Sequence, residues 1–127
     1  MKIYKNKIFA RFARAQRISD SDLCQAIKRA ERGLVDADLG GGVIKQRVAR
    51  PNEGRSGGFR TIVLFRTQER AFFVFGFAKN QRENISESNL RVFKLLAKAL
   101  LDSSNEEIEA AVKAHKLEEV NCNEEDL

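Results

Sequence analysis

Residues 71–78, Ala-Phe-Phe-Val-Phe-Gly-Phe-Ala, decide the fold of this chain because they have the pattern of a buried central strand. The run is apolar without alternation, which is typical of a strand covered on both faces. Two earlier stretches, residues 43–48 and 59–66, alternate with a period of two and predict two more strands. Turn-forming residues separate the three stretches, so we predict a meander of antiparallel strands.

The alternation assigns the side chains of the first two strands to opposite faces. In the first strand, Lys45 and Arg47 share one face, while Ile44, Gln46 and Val48 share the other. The second strand divides in the same way into Phe59, Thr61, Val63 and Phe65 against Arg60, Ile62, Leu64 and Arg66. Residues 50–58, between these strands, are rich in glycine and polar residues and predict a long, mobile hairpin loop that carries Arg50 and Arg55.

Two helices are predicted before the strands. Residues 8–17 have apolar side chains at helical spacing, with arginines on the other faces. Residues 19–22, Ser-Asp-Ser-Asp, supply an N-cap and acidic first-turn residues for a second helix that stops at Gly33. The apolar stripes are Ile8, Phe9, Phe12 and Ala15 in the first helix and Leu23, Ile27 and Ala30 in the second. Because the link is short, we expect the two helices to pack on each other as a hairpin.

Two further helices are predicted after the strands. Ser86 caps a third helix, and Ser104 with Glu107 forms a capping box for a shorter fourth one. Beyond Lys116 the composition is that of a disordered segment. The order of elements predicts an α+β domain in which two N-terminal helices pack on a small antiparallel β-sheet of three or four strands, followed by one or two C-terminal helices.

Charge divides the chain into two segments. Residues 1–101 hold 21 lysines and arginines against 9 acidic residues, a net charge of +12, whereas residues 102–127 hold 2 lysines against 9 acidic residues, a net charge of −7. A body with this excess of cations is typical of proteins that bind a polyanion. The acidic segment is either a solvated tail or a shield that folds over the basic face and competes with the polyanion.

The inventory of reactive side chains excludes several classes of site. His115, the only histidine, lies in the acidic segment, so a histidine-dependent triad in the basic body is excluded. Cys24 and Cys122 lie far apart without a C-x-x-C pattern, and we predict ordinary thiols and no metal site. Gly40-Gly41-Gly42 lacks the lysine of a phosphate-binding P-loop and predicts a flexible entry to the sheet. We expect no cofactor.

The start of the chain is basic and polar and is not followed by the apolar core of a signal peptide, and no apolar run approaches the roughly 20 residues that a membrane span requires. We therefore expect a cytoplasmic protein that does not engage a membrane.

The residues left to carry chemistry are cations. The candidate catalytic residues are Lys45, Arg47, Arg60 and Arg82, and the candidate RNA-binding residues are Arg50, Arg55 and Lys79. Residues on one face of neighbouring strands lie about 5 Å apart, so cations from successive strands can converge. The alternative is that these side chains are solvated charges on a basic surface.

Three segments together resemble the core of RelE-type toxins of bacterial toxin–antitoxin pairs. They are residues 42–50 (Gly-Val-Ile-Lys-Gln-Arg-Val-Ala-Arg), 56–63 (Ser-Gly-Gly-Phe-Arg-Thr-Ile-Val) and 72–80 (Phe-Phe-Val-Phe-Gly-Phe-Ala-Lys-Asn). The resemblance covers roughly residues 1–101 and is closest to the phage-associated RelE/HigB-like branch of the RelE/ParE superfamily. It implies a RelE-like toxin domain over residues 1–101, followed by an acidic C-terminal helix and tail over residues 102–127.

The resemblance also implies an activity, that of a ribosome-dependent endoribonuclease (an mRNA interferase, a hydrolase) that inhibits translation. Lys45 and Arg47 match the family's paired basic residues, Arg60 matches the arginine of a Gly-aromatic-Arg motif, and Arg82 or Lys79 matches the basic residue after the last core strand. The implied partners are mRNA, the ribosome and a cognate antitoxin, expected to be a helix-turn-helix DNA-binding protein in a toxin–antitoxin hetero-oligomer.

The chain departs from the family where some members carry a tyrosine or histidine, because the corresponding stretch here is Asn84-Ile85-Ser86. We therefore consider Lys45 as the general base, since crowding by like charges favours the neutral amine. Two other functions remain open. One is inhibition of DNA gyrase, as on the ParE side of the superfamily, and the other is non-catalytic binding of nucleic acid.

Overall fold

A six-stranded mixed sheet organises the chain in the computed structural model, which describes residues 1–50, 54–78 and 85–122. The strands are β1 (Lys2–Asn6), β2 (Ala37–Gly40), β3 (Val43–Arg50), β4 (Gly54–Arg66), β5 (Arg70–Ala78) and β6 (Leu117–Glu119). The helices are α1 (Lys7–Gln16), α2 (Asp20–Glu31), α3 (Glu87–Leu101) and α4 (Asn105–Lys113). Across the sheet the order is β2-β3-β4-β5-β1-β6. The α+β class is confirmed.

The sheet is larger than the three or four strands predicted, and it is not purely antiparallel. The three predicted strands form its centre as β3, β4 and β5, which pair antiparallel in sequence order. The additional strands are short, with 5, 4 and 3 residues in β1, β2 and β6. β1 pairs parallel with β5, and this pairing makes the sheet mixed. Strands this short carry too few alternating residues to be recognised from the sequence.

Each face of the sheet packs against a separate pair of helices. On one face, α1 and α2 enclose a core that contains Phe9, Leu23 and Phe59. On the other face, α3 and α4 enclose a core that contains Phe72 and Leu101. The predicted division of β3 and β4 into two faces is confirmed, because the two sets of side chains belong to different cores. β5 contributes to both cores, as its apolar sequence predicts.

The first helix exists, but its buried face differs from the prediction. Phe9, Ala10 and Ala13 are buried in α1, whereas Ile8 is 63% exposed. Phe12 lies directly over Gly76 of β5, where any side chain at position 76 would collide with its ring. The main contacts of α1 are with β5 and β1, and those of α2 are with β3, so the expected packing of the two helices on each other is replaced by packing on the sheet.

The predicted loop over residues 50–58 is mostly strand. β3 continues to Arg50 and β4 begins at Gly54, and these two residues are paired across the strands. A Cβ atom at Gly58 would lie 2.2 Å from the carbonyl oxygen of Val48, so only glycine allows this close approach. Residues 51–53, between the strands, lie outside the described residues.

The C-terminal segment is folded as far as residue 122, so the expectation of disorder beyond Lys116 is wrong for residues 117–122. The capping box of Ser104 and Glu107 is present at the start of α4, as predicted. β6 pairs antiparallel with β1, and Leu117 and Val120 are buried. The division of the chain at residue 101 into two units stays a prediction.

Cys24 and Cys122 form a disulfide, which corrects the prediction of two ordinary thiols. Cys24 is buried in α2, and the chain after β6 brings Cys122 to it with a Cα–Cα distance of 5.9 Å. The pairing depends on β6 lying beside β1, which the spacing of the two cysteines does not reveal. Both residues line a surface cavity with Ile3 and Ile27, so a small reductant has access to the bond.

Reduction of this disulfide should destabilise the protein, because the bond closes a loop with a sequence separation of 98 residues. A cross-link of this kind typically contributes about 2–4 kcal/mol. We expect dithiothreitol to lower the free energy of unfolding in urea by this amount, and Cys122→Ser to have the same effect. The control is Cys122→Ser with dithiothreitol, which should change nothing further. A wild-type unfolding curve unaffected by reductant would contradict the expectation.

Candidate functional site

Two arginines lie opposite each other at the centre of the candidate site. Arg47 of β3 and Arg60 of β4 are partners in the antiparallel register. Directly opposed residues have Cβ atoms about 4.5–5.5 Å apart, so the two guanidinium groups share one patch of the sheet. Both point to the face that α3 covers in part, and both are half-buried. Like charges held this close repel each other, so the patch is electrostatically poised to receive an anion.

Lys45 lies on the same face of β3 as Arg47, two residues before it. Its partner on β4 is Ile62, and the rise of a strand places it about 6–7 Å along β3 from Arg47. Lys45 is half-buried. Three of the four predicted catalytic residues, Lys45, Arg47 and Arg60, therefore form one cationic face on adjacent strands.

The remaining predicted residues fall at the edges of the described structure. Arg82 and Lys79 lie outside the described residues, within residues 79–84. The backbones of Arg50 and Arg55 belong to β3 and β4, but their side chains lie outside the described part of the chain. Their catalytic and RNA-binding roles stay predictions.

Gln46 anchors the strand that carries Arg47. It is 1% exposed, and its Nε2 atom donates to the carbonyl oxygens of Ala26 and Leu34, each at 3.0 Å. Its Oε1 atom accepts a hydrogen bond from the backbone N–H of Asp36 at 3.2 Å. A buried amide with three partners specifies one arrangement of neighbouring segments. Gln46 thus joins β3, α2 and the segment before β2.

Asp36 is brought next to Arg47 by this arrangement. Its carboxylate accepts a hydrogen bond from the backbone N–H of Arg47, and its Oδ1 atom lies 3.9 Å from the Nε atom of Arg47. Arg29 of α2 donates to the carbonyl oxygen of Arg47 at 2.6 Å. Both backbone polar groups of Arg47 are therefore used in holding its position, while its side chain makes a long ion pair with Asp36.

Two guanidinium nitrogens in the patch have no hydrogen-bond partner among the described residues. They are Nε of Arg47 and Nη1 of Arg60, and both are buried. Burial lowers the pKa of Arg60 below its usual value, the positive charge of Arg47 lowers it further, and Asp36 partly opposes the shift. An unpaired buried donor is costly, so a structure that retains two of them has donors available for a ligand.

Aromatic side chains lie beside the cations on the same face. Phe77 is the partner of Arg60 on β5, and Phe75 is the partner of Ile62. The ring of Phe75 lies 6.1 Å from the ring of Phe77 and 6.1 Å from that of Phe93 in α3. Aromatic faces next to cations are the usual elements of a single-stranded nucleic-acid surface. The sequence analysis does not identify Phe75 or Asp36 as site residues. For Phe75 the sequence offers one signal, the Phe-x-Phe pattern of residues 75–77, and for Asp36 it offers none.

The acidic segment forms ion pairs away from this patch. In the described part of the chain, Glu119 pairs with Lys2 at 3.0 Å, Glu118 with Arg14 at 3.5 Å, and Asp102 with Arg66 at 2.8 Å. The first two pairs lie where β6 meets β1 and α1. The acidic residues described there neutralise cations outside the candidate site. That the acidic segment shields the candidate site stays a prediction, which now concerns residues 123–127.

Two classes of feature are absent from residues 1–50, 54–78 and 85–122. Within them, no group of three or more histidine, cysteine or acidic side chains is arranged to hold a metal ion. Within the same ranges, no helix combines the length and apolar character needed to cross a membrane.

A protein-family model described as the RelE toxin of the RelE / RelB toxin-antitoxin system matches residues 1–120. The chain belongs to the RelE toxin family. The match includes α4 and β6, which the resemblance over residues 1–101 had left out. Membership supports the role of toxin in a toxin–antitoxin system and implies an antitoxin as partner. A search of curated proteins found no match to this chain.

Replacing Arg60 in this RelE-family toxin should not cost stability, because its buried nitrogen lacks a partner. We expect Arg60→Met, which keeps the length of the side chain, to lower the free energy of unfolding by no more than about 0.5 kcal/mol, or to raise it. The matched control is Arg66→Met on the same face of β4. Arg66 donates to the Leu101 carbonyl and to Asp102, both at 2.8 Å, so its loss should destabilise the protein. Urea unfolding of both variants tests this. Greater destabilisation by Arg60→Met than by Arg66→Met would contradict it.

Proposed function

We propose that this RelE-family toxin inhibits translation by cutting mRNA on the ribosome, with Lys45, Arg47 and Arg60 as the RNA-contacting face. The observation that supports it most is the in-register pair Arg47–Arg60, with two buried guanidinium nitrogens that have no partner among the described residues. A planar guanidinium holds two phosphate oxygens at once and keeps its charge at any working pH. Two such groups facing each other match one phosphate diester.

The proposed chemistry needs no cofactor. The ribose 2′-hydroxyl attacks the adjacent phosphorus in line, a new P–O bond forms to the 2′-oxygen, and the bond to the 5′-oxygen of the next nucleotide breaks. The protein has to align these atoms and stabilise the negative charge that grows on the phosphate and on the leaving oxygen. Arg47 and Arg60 would bind the non-bridging oxygens, since their side chains share one patch. A proton must leave the 2′-hydroxyl and another must reach the leaving oxygen.

Lys45 is the proposed proton acceptor. It lies on the same face of β3 as Arg47, close to the proposed phosphate position. Loss of activity in Lys45→Ala supports this role, and wild-type activity in that variant excludes it. The half-buried Phe75, which packs against the buried Phe77, would provide a surface on which a base stacks beside the phosphate. Arg82, Lys79, Arg50 and Arg55 remain candidates for further RNA contacts.

The proposal extends to the partner and location. The antitoxin is expected to be a helix-turn-helix DNA-binding protein that forms a hetero-oligomer with this chain in the cytoplasm, and the RelE/HigB-like branch is the expected subgroup. Induction in a bacterium separates this function from the alternatives. Loss of protein synthesis with cut mRNA supports it, whereas arrested DNA synthesis indicates a gyrase inhibitor and unimpaired growth a non-catalytic binding protein.

Arg60→Ala should slow mRNA cleavage by roughly 10²–10³-fold, the usual cost of removing one group that stabilises transition-state charge. The assay is primer extension on mRNA bound to ribosomes under single-turnover conditions. The matched control is Arg11→Ala, because Arg11 is an exposed arginine on α1, whose core lies on the opposite face of the sheet. Equal effects of the two substitutions would contradict a specific role for Arg60.

Asp36→Asn should strengthen RNA binding, because it removes the negative charge beside Arg47 and keeps an oxygen for the Arg47 backbone N–H. We expect the Kd for a single-stranded oligoribonucleotide with 2′-O-methyl groups to fall roughly two- to fivefold at low salt. The dependence of Kd on salt should also steepen, since one more cation is free to meet phosphate.

The control for charge alone is Glu106→Gln, an exposed acidic residue on α4. It makes the same change in net charge away from the candidate site. An equal gain of affinity in Glu106→Gln and Asp36→Asn would show that RNA responds to the total charge and not to the Arg47–Arg60 pair.

A further inference from the structure

The outer face of α3 carries an exposed apolar stripe. Leu95 is 70% exposed and Val92 is 60% exposed, although α3 buries Ala97 and Leu101 on its inner face. Positions 88, 92, 95 and 99 follow one another at helical spacing, so Ser88, Val92, Leu95 and Ala99 form one line along the helix. All four are exposed. Two large aliphatic side chains in line on one surface helix offer an apolar surface that a partner could bury.

The stripe has cations along one flank only. Arg91, Lys94 and Lys98 are all exposed, and helical geometry places them between the outer stripe and the inner face on the same side. The Lys94 side chain lies against the Gly40-Gly41 turn, which fixes this side of α3 as the one facing the start of β3. The other flank carries Asn89 and the half-buried Leu96. The exposed Glu87 precedes these cations on the same side, in the first turn of α3. The surface therefore combines an apolar line with a flank of three cations and one acidic residue.

We propose that the outer face of α3 docks an amphipathic helix of a partner protein whose apolar stripe is flanked by acidic residues. Apolar side chains at helical spacing are recognised by a complementary stripe, and the row of cations selects carboxylates beside it. A nucleic acid offers phosphates but nothing that buries Val92 and Leu95. A second copy of this chain, docked antiparallel through the same surface, would set Arg91, Lys94 and Lys98 against their own copies.

The identity of the partner rests on family membership and not on the proposed ribonuclease activity. A RelE-family toxin implies an antitoxin, and an acidic helix of the antitoxin is the occupant that fits this surface. α3 packs on the same face of the sheet as Lys45, Arg47 and Arg60, through the contact of Phe93 with Phe75. A helix bound on α3 would therefore lie on the side of the sheet that carries the candidate site.

The probes are three synthetic 18-residue helical peptides labelled with fluorescein. The first has leucines at positions i, i+3, i+4 and i+7 with glutamates beside them, the second has lysines in place of the glutamates, and the third has serines in place of the leucines. Fluorescence anisotropy with the full-length toxin measures Kd. We expect saturable binding of the first peptide, at least tenfold tighter than binding of either of the others.

Substitutions in the toxin locate the binding site. Leu95→Ser should weaken binding of the first peptide roughly tenfold or more, because a leucine that becomes buried on binding contributes strongly to the affinity. Leu34→Ser is the matched control, since Leu34 is another exposed apolar residue, 54% exposed, away from α3. Arg91→Gln with Lys98→Gln should weaken binding and reduce its salt dependence, and Lys7→Gln with Arg11→Gln on α1 should do neither.

Several results would overturn the proposal. They are equal binding of the glutamate and lysine peptides, unchanged binding by Leu95→Ser, and a wild-type dimer in sedimentation that Leu95→Ser dissociates, which would assign the stripe to a second copy. Binding that is lost in Arg60→Ala but kept in Leu95→Ser would place the acidic peptide on the candidate site instead. Cleavage of mRNA by Leu95→Ser should stay at the wild-type rate, so failure of the docking surface and failure of the ribonuclease proposal are separate outcomes.

Discussion

The pairing of β3 with β4 is the constraint on which the candidate site depends, because its register places Arg47 opposite Arg60. A shift of β3 by one residue against β4 would turn Arg47 to the other face of the sheet, into the core beneath α1 and α2, and would separate it from Arg60. Gln46 opposes this shift from inside that core through its hydrogen bonds to α2 and to the segment before β2. Thr61 adds a hydrogen bond of 2.7 Å from its hydroxyl to the Gln46 carbonyl. The apolar face thus holds the cationic face in register.

Electrostatic repulsion within the patch is the cost of this arrangement. Among the described residues, Nε of Arg47 and Nη1 of Arg60 have no acceptor, and Asp36 is an acidic residue that lies beside Arg47. Several other cations of the same fold are paired, as Arg66 is with Asp102 and Lys5 with Asp20. This contrast within one protein separates cations that stabilise the fold from the cations that we propose bind RNA. Sites that sacrifice stability in this way are typically functional.

The amino-acid pattern was sufficient for the centre of the fold and for part of the site. Alternation with a period of two predicts that Lys45 and Arg47 share one face of β3 and allows Arg60 of β4 to converge with them, since adjacent residues in a strand point to opposite faces. The register of β3 with β4 places Arg60 opposite Arg47. It did not reveal Asp36 as a neighbour of Arg47, because that proximity depends on how the segment before β2 is held by Gln46. Local patterns specify which way a side chain points, whereas distant segments meet through tertiary packing.

The ends of the chain also contain structure that local sequence patterns do not reveal. β1 and β6 are short strands that are stable only because β5 and each other supply partners, and the disulfide of Cys24 with Cys122 follows from their pairing. The acidic composition beyond Lys116 concealed a strand whose Leu117 is buried in the core under α4. Composition describes the average of a segment, and one or two apolar residues at the right positions decide whether it folds.

The most direct test of the account is to observe where RNA meets the protein. Nuclear magnetic resonance of the arginine Nε–H groups, with a short 2′-O-methyl RNA added to the full-length toxin, reports each guanidinium separately. The account predicts that the signals of Arg47 and Arg60 shift together and saturate at the same RNA concentration, while those of Arg11 and Arg14 stay in place. Saturable shifts at Arg11 and Arg14 with none at Arg47 and Arg60 would contradict it.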